Sequence, residues 1–423
     1  MKHQCGCDAG GHKPLLPVDD ARKQLLASAE CLVAPEPCAL KYASGRVLAQ
    51  SLVASVMVPP LDNSAMDGYA LCHDELPDSR VMSVSQRIPA GAQPDPLQPG
   101  TCCRIFTGAP MPRGADTVVM QEHVVCQEDG SIRFPPMIHP ESNVRYAGED
   151  LMPGDHLLNA GVRLGPAECG VLASQGVGEV MVYRRLKVAI LSTGDELIQP
   201  GVRWTQGKLY NSNRYTLAAG IESLGMEVVE LEINNGIVPD TPEDTRAALL
   251  DASERADVII STGGVSVGEE DYVRLSVEAL GEINLWGIAI KPGKPFAFGQ
   301  VQGTPFLGLP GNPAAAMVTF DLLASAYLKC CQGRSPQPLR RFSVAAGFSR
   351  DKTLSRQEYI RASLISGDKS QPGSALVAVS AGDQGSGVLS TACLADGYLV
   401  IPPATRINKG ERYDFLSYAD FRW

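Results

Sequence analysis

The stretch DVIISTGGVSVGEED, residues 257–271, joins an apolar run to a loop of glycines, hydroxyls and acids. The apolar half, 257–261, is typical of a buried strand. A strand that runs straight into glycines can point backbone N–H groups at an anion, and glycine lets the backbone approach that anion closely. The sequence therefore predicts an anion-binding loop at a strand end. The loop residues expected to contact the ligand are Gly263, Gly264, Ser266 and Gly268.

The segment around this loop, 185–333, alternates apolar strands with helices. That alternation predicts a doubly wound parallel sheet, which is an α/β fold with helices on both faces. Ligands of such sheets bind at the carboxyl ends of the strands. Strands are predicted over 187–191, 227–233, 257–261, 285–290, 295–299 and 304–308, and helices over 213–224, 241–254, 272–280 and 312–331.

The rest of the chain has a different texture. Residues 55–150 contain short β-prone runs between turns and predict a mainly β module, and 334–423 predict a small C-terminal β-barrel domain. Residues 1–13 are glycine-rich and predict a flexible tail. Cys5 and Cys7 in this tail leave open a metal site or simple disorder, and composition favours disorder. Helices are also predicted from Pro17 and over 166–174.

Composition limits the class of protein. The chain has 423 residues, 44% of them apolar, and a net charge of −10. A net negative charge disfavours nucleic acid as a partner. The sequence shows neither a run of about 20 apolar residues nor the apolar core of a signal peptide, so a cytoplasmic protein without a membrane partner is expected. The 12 cysteines include the adjacent pairs 102–103 and 330–331 and are expected mostly as small buried side chains.

A second strand end carries the sequence STGDEL, residues 192–197. Ser192 and Gly194 suit a loop that binds an anion, although an ordinary turn after a strand has the same composition. Glu196 is unusual there, because a carboxylate beside a bound anion is better explained by a metal ion between them. Asp271 is a second candidate carboxylate, and capping of the following helix is its alternative role.

Two lysines and a proline-rich turn follow later strands. Lys291 and Lys294 flank a rigid Pro-Gly turn, which can hold both ammonium groups near a phosphate or oxyanion. Exposure to solvent is the alternative for both. The sequence LPGNP, residues 309–313, starts a helix, and Asn312 suits its N-cap, while the helix N-terminus could also face an anion. Acids also occur in turns outside this segment, at Asp67 and Asp150, where turn formation alone could explain them.

Taken together and in this order, six segments resemble the molybdopterin molybdenumtransferase family, which includes bacterial molybdenum-insertion enzymes and the C-terminal domain of gephyrin. The resemblance extends from about residue 15 to the C-terminus. The segments are LDNSAMDGYA at 61–70, TGAP at 107–110, STGDEL at 192–197, STGGVSVGEED at 261–271, AIKPGKPFAFG at 289–299 and LPGNP at 309–313.

The resemblance implies a homodimer whose active site lies between the α/β domain of one subunit and the N-terminal parts of the other. It implies conversion of adenylylated molybdopterin and molybdate into molybdenum cofactor and AMP, with Mg²⁺. The upstream partner would be a separate molybdopterin adenylyltransferase, and molybdoenzymes would receive the product. The implied domains are a discontinuous N-terminal domain, 14–54 plus 151–184, an inserted mainly-β domain, 55–150, an α/β molybdopterin-binding domain, 185–333, and the C-terminal β domain, 334–423.

The resemblance also implies residue roles. The implied catalytic residues are Asp67, Glu196, Asp271, Lys291 and Lys294, with Glu196 and Asp271 holding the metal. Asp67, Thr107 and Asp150 would reach the site from the neighbouring subunit. The implied substrate-binding residues are Thr107, Asp150, Ser192, Gly194, Asp240, Gly263, Gly264, Ser266, Gly268, Pro310, Pro313, Arg356 and Ser386.

Two other functions stay open. A molybdopterin adenylyltransferase shares the parallel-sheet domain, but it would not carry the 61–70 and 107–110 segments or the C-terminal β domain. A non-catalytic, peptide-binding scaffold of the gephyrin type has the whole architecture. The retained acids and lysines argue for catalysis.

Overall fold

The computed structural model describes residues 15–265, 272–367 and 376–422. The predicted tail and three predicted site residues, Ser266, Gly268 and Asp271, lie outside these ranges. In the N-terminal domain, segments on both sides of the β module pair with each other. Strand Pro35–Ala39 pairs antiparallel with Glu179–Tyr183, and Leu52–Val53 pairs with His156–Leu158. The helices here are Val18–Ala27 and Pro166–Ser174, and both were predicted.

The inserted module is built around a six-stranded sheet with its own apolar core. A separate two-stranded pair, Asn63–Ser64 with Val144–Arg145, lies beside it. The mainly β content predicted for this region is therefore confirmed. In sheet order the six strands are Thr117–Met120, Gly68–Leu71, Thr101–Ile105, Val81–Ile88, Ile132–Arg133 and Val125–Cys126.

The α/β domain contains the predicted parallel sheet. Strand Ile237–Val238 pairs with the end of Lys187–Thr193. A small parallel pair, Leu197–Ile198 with Leu209–Tyr210, extends from the loop after that strand. In order across the main sheet the strands are Glu227–Val229, Lys187–Thr193, Val258–Thr262, Thr304–Leu309, Ala297–Val301 and Gly281–Trp286, and the first four are mutually parallel.

One edge of this sheet differs from the prediction. Ala297–Val301 runs antiparallel to both of its neighbours, Gly281–Trp286 and Thr304–Leu309, and it joins Thr304–Leu309 in a hairpin in which Val301 and Thr304 pair across a two-residue turn. Gln302 and Gly303 both have positive φ, 50° and 83°, which is the backbone that a tight hairpin requires. The single strand predicted over 285–290 is also wrong. The chain leaves the sheet after 286, and its next strand, Ile290–Lys291, joins the C-terminal domain.

Helices cover both faces of the sheet, as predicted. Along the central strand, Val188 and Ile190 pack into one core, and Ala189 and Leu191 pack into the other, since alternate side chains of a strand point to opposite faces. The first core includes Ser212–Ser223 and the long helix from Pro313, and the second includes Pro242–Arg255 and Tyr272–Leu280.

The long helix is almost completely buried. It runs as α-helix over Pro313–Thr319, as π-helix over Phe320–Ala324, and as α-helix again over Ser325–Cys331. By length and composition alone this 19-residue helix could cross a membrane, but 89% of its most apolar window is buried inside the protein. That burial is typical of a core helix in a globular domain.

The C-terminal domain is a closed five-stranded barrel, which confirms the predicted barrel. The barrel closes because strand Gln357–Ser366 pairs with both Leu376–Ser380 and Gly397–Ile401. The other two strands are Phe342–Ala346 and Arg412–Ser417, and helix Tyr418–Arg422 follows. Short 3₁₀ turns occur at Leu40–Tyr42, His73–Glu75, Gln121–His123, Asn234–Gly236 and Ser390–Leu394.

Candidate active site

A cleft of about 970 Å³ lies at the carboxyl ends of the parallel strands, where the α/β domain faces the barrel. This is the place where ligands of open α/β sheets bind. Most of the predicted site residues of the α/β and barrel domains meet here. Those that line the cleft are Gly194, Glu196, Asp240, Gly263, Gly264, Lys291, Lys294, Pro310, Pro313, Arg356 and Ser386.

The glycine loop after strand Val258–Thr262 packs tightly against its surroundings. Gly263 has φ 89°, and a Cβ there would lie 2.9 Å from the carbonyl oxygen of Thr193. Gly264 has φ 63°, and a Cβ there would lie 2.4 Å from the Val273 side chain. Both positions therefore exclude larger residues, by backbone conformation and by space. The loop forms one wall of the cleft with little room to shift.

Asn213 was not among the residues predicted from the sequence. Its side chain joins two of the strand-end loops by hydrogen bonds. It lies in the first turn of helix Ser212–Ser223, and its Nδ2 donates to Thr262 Oγ1 at 2.7 Å and to Gly311 O at 2.8 Å. The side chain is buried and lines the cleft. The polar sequence Asn211-Ser212-Asn213 at the helix start is the signal that could have identified it.

Lys291 belongs to an ion-pair network around the buried carboxylate of Glu358. Its Nζ lies 3.2 Å from Glu358 Oε1, while the other oxygen of Glu358 accepts from Arg350. The Glu358 side chain is only 3% exposed. Parallel pairing of Ile290–Lys291 with Gln357–Glu358 brings the lysine and the acid side by side. Two cations and one carboxylate leave a single net positive charge at this wall of the cleft.

Lys294 and Arg356 complete the basic wall. Lys294 is exposed, and its ammonium group has neither an ion pair nor a hydrogen bond to any residue in the described ranges. Arg356 is half-buried, and its Nη1 donates to Ile290 O at 2.8 Å. Of the two predicted lysines, Lys294 is therefore the one whose charge is available to a ligand, and Lys291 is the one whose position is fixed.

The barrel contributes the turn 383–386 to the cleft. Arg361 is fully buried, and its Nη2 donates to Asp383 O at 3.0 Å and to Gly385 O at 3.1 Å. Burial lowers the pKa of this guanidinium. Ser386 O accepts from Ala314 N at 2.9 Å, in the first turn of the long helix. The turn is thereby bound to the α/β domain.

That last contact explains one wrong expectation. Asn312 is the N-cap residue of the long helix, as predicted, but its side chain makes no capping hydrogen bond. The barrel supplies a substitute, because the carbonyl of Ser386 takes one of the free N–H groups of the first turn. The N-cap side chain is therefore not needed for this purpose.

Two further predicted acids, Glu196 and Asp240, line the cleft. Glu196 is exposed, and its carboxylate folds back over Gly194. Asp240 is tied to Asp195 by a reciprocal pair of hydrogen bonds, in which each backbone N–H donates to the other carboxylate, at 3.1 and 3.2 Å. In the part of the chain that the structure describes, no three His, Cys, Asp or Glu residues are grouped as a metal site.

Four predicted site residues do not line this cleft. Ser192 is buried, its hydroxyl has no hydrogen-bond partner among the residues that the structure describes, and its neighbour Thr193 lines the cleft instead. Asp67, Thr107 and Asp150 belong to the inserted module and its linker, away from the cleft of the same chain. Asp67 Oδ1 accepts from both the backbone N–H and the hydroxyl of Thr107, each at 2.8 Å, and these bonds lower the pKa of Asp67.

The fold and the cleft define a multidomain protein with a basic cleft between an α/β domain and a β-barrel. Three family models match it in chain order: MoeA N-terminal region (domain I and II) over residues 16–176, probable molybdopterin binding domain over 189–329, and MoeA C-terminal region (domain IV) over 344–418. The chain belongs to the MoeA family of molybdenum cofactor biosynthesis proteins, which confirms the resemblance found in the sequence.

Relatives of known name match between two thirds and nearly all of the chain. The molybdopterin molybdenumtransferase of Haemophilus influenzae is 38% identical over 389 residues, which are 92% of this chain and 94% of that protein. A protein of the same name from Nostoc sp. is 41% identical over 288 residues, 66% of this chain and 65% of its own length. The crystal structure of the molybdopterin biosynthesis moeA protein from Pyrococcus horikoshii is 27% identical, with a TM-score of 0.79, and the match covers 96% of this chain and 100% of that one.

Proposed function

We propose that this chain is a molybdopterin molybdenumtransferase, which uses the cleft to insert molybdate into adenylylated molybdopterin with release of AMP. One observation carries the proposal. The Gly263–Gly264 loop, Lys291, Lys294 and Arg356 converge on one cavity at the sheet end. A glycine loop with cations suits a substrate whose phosphate groups must be held and neutralised. The family membership and the names of the relatives support the same activity.

The geometry assigns different tasks to the cations. The phosphoric anhydride of the substrate breaks so that AMP leaves with additional negative charge, and catalysis of such steps depends mainly on positioning and charge neutralisation. Lys294, with no described partner to compete for it, is placed to bind the oxyanion that carries this charge. Lys291, fixed by Glu358, presents its ammonium from a constant position and orients the substrate.

Mg²⁺ belongs to the same proposal. Glu196 offers an exposed carboxylate on the cleft, and oxygen ligands of this kind fit Mg²⁺ together with substrate phosphate oxygens. Asp271 is the second ligand proposed from the sequence and lies outside the described residues. The ion would neutralise charge on the phosphates when bound.

We also propose a homodimer with a composite site. Asp67 and Thr107 form a well-ordered pair that faces no part of the cleft in its own chain. A second subunit could bring this pair to the cleft. In a cytoplasmic setting, the adenylylated substrate would come from a separate adenylyltransferase, and molybdoenzymes would take the product.

The decisive assay measures AMP release from adenylylated molybdopterin with and without molybdate and Mg²⁺. We expect release to depend on both, and Lys294→Ala to reduce it at least 100-fold while the protein remains folded. Lys352→Ala, which removes an exposed lysine of the barrel domain outside the cleft, is the control and should keep full activity. Unchanged AMP release in Lys294→Ala would remove the role given to that lysine.

The composite site has its own test. Sedimentation equilibrium should give a dimer. Mixtures of the inactive variants Asp67→Asn and Lys294→Ala should regain part of the activity after subunit exchange, since one of the two sites then has both residues. A monomer, or mixtures that stay inactive after proven exchange, would contradict the shared site.

A further inference from the structure

A second cavity, of about 400 Å³, lies where the N-terminal domain, the long helix and the barrel meet. It shares no lining residue with the active-site cleft. Its lining is strongly basic, and the only acid among the lining residues is Asp420. We call it the junction cavity. Its basic side chains are Arg22, Arg163, Lys329, Arg334 and Arg340.

Among the described residues, neither Arg22 nor Lys329 forms an ion pair with a carboxylate. Arg22 donates to two main-chain carbonyls, Leu322 O and Gln337 O, both at 2.9 Å. The Lys329 ammonium donates to a third, Asp420 O, at 3.2 Å. Carbonyl groups are dipoles and do not cancel a full charge. Within the described ranges only Arg340, which is mostly exposed, approaches the Asp420 carboxylate, at 3.9 Å.

Arg334 supplies the most specific observation. Its Nη1 is buried and has no hydrogen-bond partner among the residues that the structure describes. An unpaired guanidinium N–H group in a buried place costs free energy. The loop 159–163 packs closely on 333–335, since a Cβ on Gly161 would lie 2.9 Å from Gly333 O. Arg334 therefore has a guanidinium N–H group at the cavity that no described residue accepts.

Repulsion between these cations contributes to a lowered pKa of Lys329. Burial, followed by the charges of Arg334, Arg22 and Arg163, lowers the pKa of Lys329 to about 8. The charged groups that act on Lys329 are these three arginines from other segments and Asp321 of the same long helix, and only Asp321 raises the pKa. A buried cluster of like charges is costly unless an anion joins it.

We propose that the junction cavity binds a small oxyanion of the phosphate class, either free phosphate or the phosphate of a monoester. Guanidinium N–H groups match the oxygens of a tetrahedral oxyanion, and Lys329 adds a point charge. The bound anion would bridge the N-terminal domain, the long helix and the segment that leads into the barrel. This site is separate from the active-site cleft and does not depend on the function proposed for it.

The test uses the whole protein and inorganic phosphate. Because the cleft lysines can also bind phosphate, the background is the double variant Lys291→Ala/Lys294→Ala. In this background we expect phosphate, at constant ionic strength set with chloride, to raise the melting temperature and to give a calorimetric binding isotherm. Adding Arg334→Gln should weaken phosphate binding at least tenfold. The matched control is Arg340→Gln, which removes an exposed arginine and should weaken it less than threefold.

The stability of Arg334→Gln without phosphate distinguishes anion binding from a purely structural role of Arg334. If the cluster binds an anion, Arg334→Gln in phosphate-free buffer should be at least as stable as its parent, because it removes repulsion. If Arg334 only holds the domains together, the variant should be less stable with and without phosphate, and this result would overturn the proposal. Equal stabilisation by phosphate and by chloride would overturn it as well.

A second measurement needs no variant of the cavity. Lys329 loses its proton as the pH rises through about 8, so the affinity of the background protein for phosphate should fall at least fivefold between pH 7.5 and 9.5. Constant affinity over this range would contradict the proposed role of Lys329. AMP in place of phosphate distinguishes the sources: binding of both shows that the cavity accepts monoesters, and binding of phosphate alone shows that it takes the free ion.

Discussion

Replacement of Asp321 by asparagine should stabilise the protein at neutral pH. Asp321 lies in the π-helical turn, is 3% exposed, and accepts a hydrogen bond of 2.8 Å from Tyr398 of the barrel. Burial raises the pKa of this carboxyl to about 6 from an ordinary value of 3.8, although the Tyr398 bond and the charges of Arg422 and Lys329 act to lower it. The contact joins the long helix to the C-terminal domain.

The direction of the effect follows from the proton balance. Between pH 3.8 and about 6 the folded protein keeps a proton that the unfolded chain has lost. Stability is therefore highest below this window and falls as the pH rises through it. At 1.36 kcal/mol per pKa unit, the loss above pH 6 is about 3 kcal/mol, of which roughly 1.5 kcal/mol falls between pH 5.0 and 7.5.

Asparagine cannot ionise and still offers Tyr398 an acceptor. Its amide N–H groups need new partners, at a cost of about 1 kcal/mol. We therefore expect Asp321→Asn to be more stable than its parent by about 2 kcal/mol at pH 7.5 and by about 0.5 kcal/mol at pH 5.0. Urea unfolding followed by tryptophan fluorescence at several pH values measures the difference. Asp351→Asn, at an exposed carboxylate of the C-terminal domain, is the control and should show no such change. A difference that stays constant from pH 5.0 to 7.5 would refute the reasoning, and so would a variant less stable at pH 7.5.

Three further substitutions probe the cleft. Gly264→Ala should lower the free energy of unfolding by about 2–4 kcal/mol, because it combines a strained φ with overpacking against Val273. The control is Gly91→Ala, because Gly91 has a similar φ of 81° but no neighbouring atoms where a Cβ would lie. It should lower the free energy of unfolding, measured with urea, by only about 1 kcal/mol. Equal losses for the two variants would show that crowding at Gly264 is unimportant. Glu358→Gln should lower the free energy of unfolding by about 1–3 kcal/mol, a small value because Lys291 and Arg350 are partly exposed. It should also lower the rate of AMP release by more than the loss of folded protein explains. Retained activity would show that Glu358 is not needed to position Lys291. Asp67→Asn should melt within about 2 °C of its parent, since an exposed carboxylate contributes little to stability, and should abolish cofactor formation; normal formation would remove the role of Asp67.

The sheet and the strand-end loops could be predicted because the residues that specify each of them are adjacent in the sequence. An apolar strand such as Val258–Thr262 and the glycines after it are adjacent in the chain, and the capping sequence at Thr241 is complete within four residues. In the structure Thr241 Oγ1 accepts from Asp244 N at 3.1 Å, at the start of the helix predicted over 241–254. The order of the six motifs then identified the family, which the comparisons confirm.

The missed features depend on contacts between distant parts of the chain. Glu358 is an ordinary acid in a β-prone run, and nothing near it indicates that Lys291, 67 residues away, will be its partner. Asn312 has the right sequence for a capping side chain, yet the carbonyl of Ser386 makes that contact unnecessary. The antiparallel edge of the sheet depended on a Gln-Gly turn, a weaker hairpin signal than Asn-Gly.

These distant contacts make the cleft a product of domain docking. Lys291 lies on a short strand that pairs with the barrel, and the 383–386 turn is fastened to the first turn of the long helix through Ser386. The Asp321–Tyr398 bond joins the same two domains further along that helix. The α/β domain alone supplies the glycine loops, but the ion pair that fixes Lys291 exists only when the barrel is in place. An oxyanion in the junction cavity would act on the same joint from the other end of the helix. Stability of this joint and competence of the cleft should therefore change together whenever a contact between helix and barrel is altered.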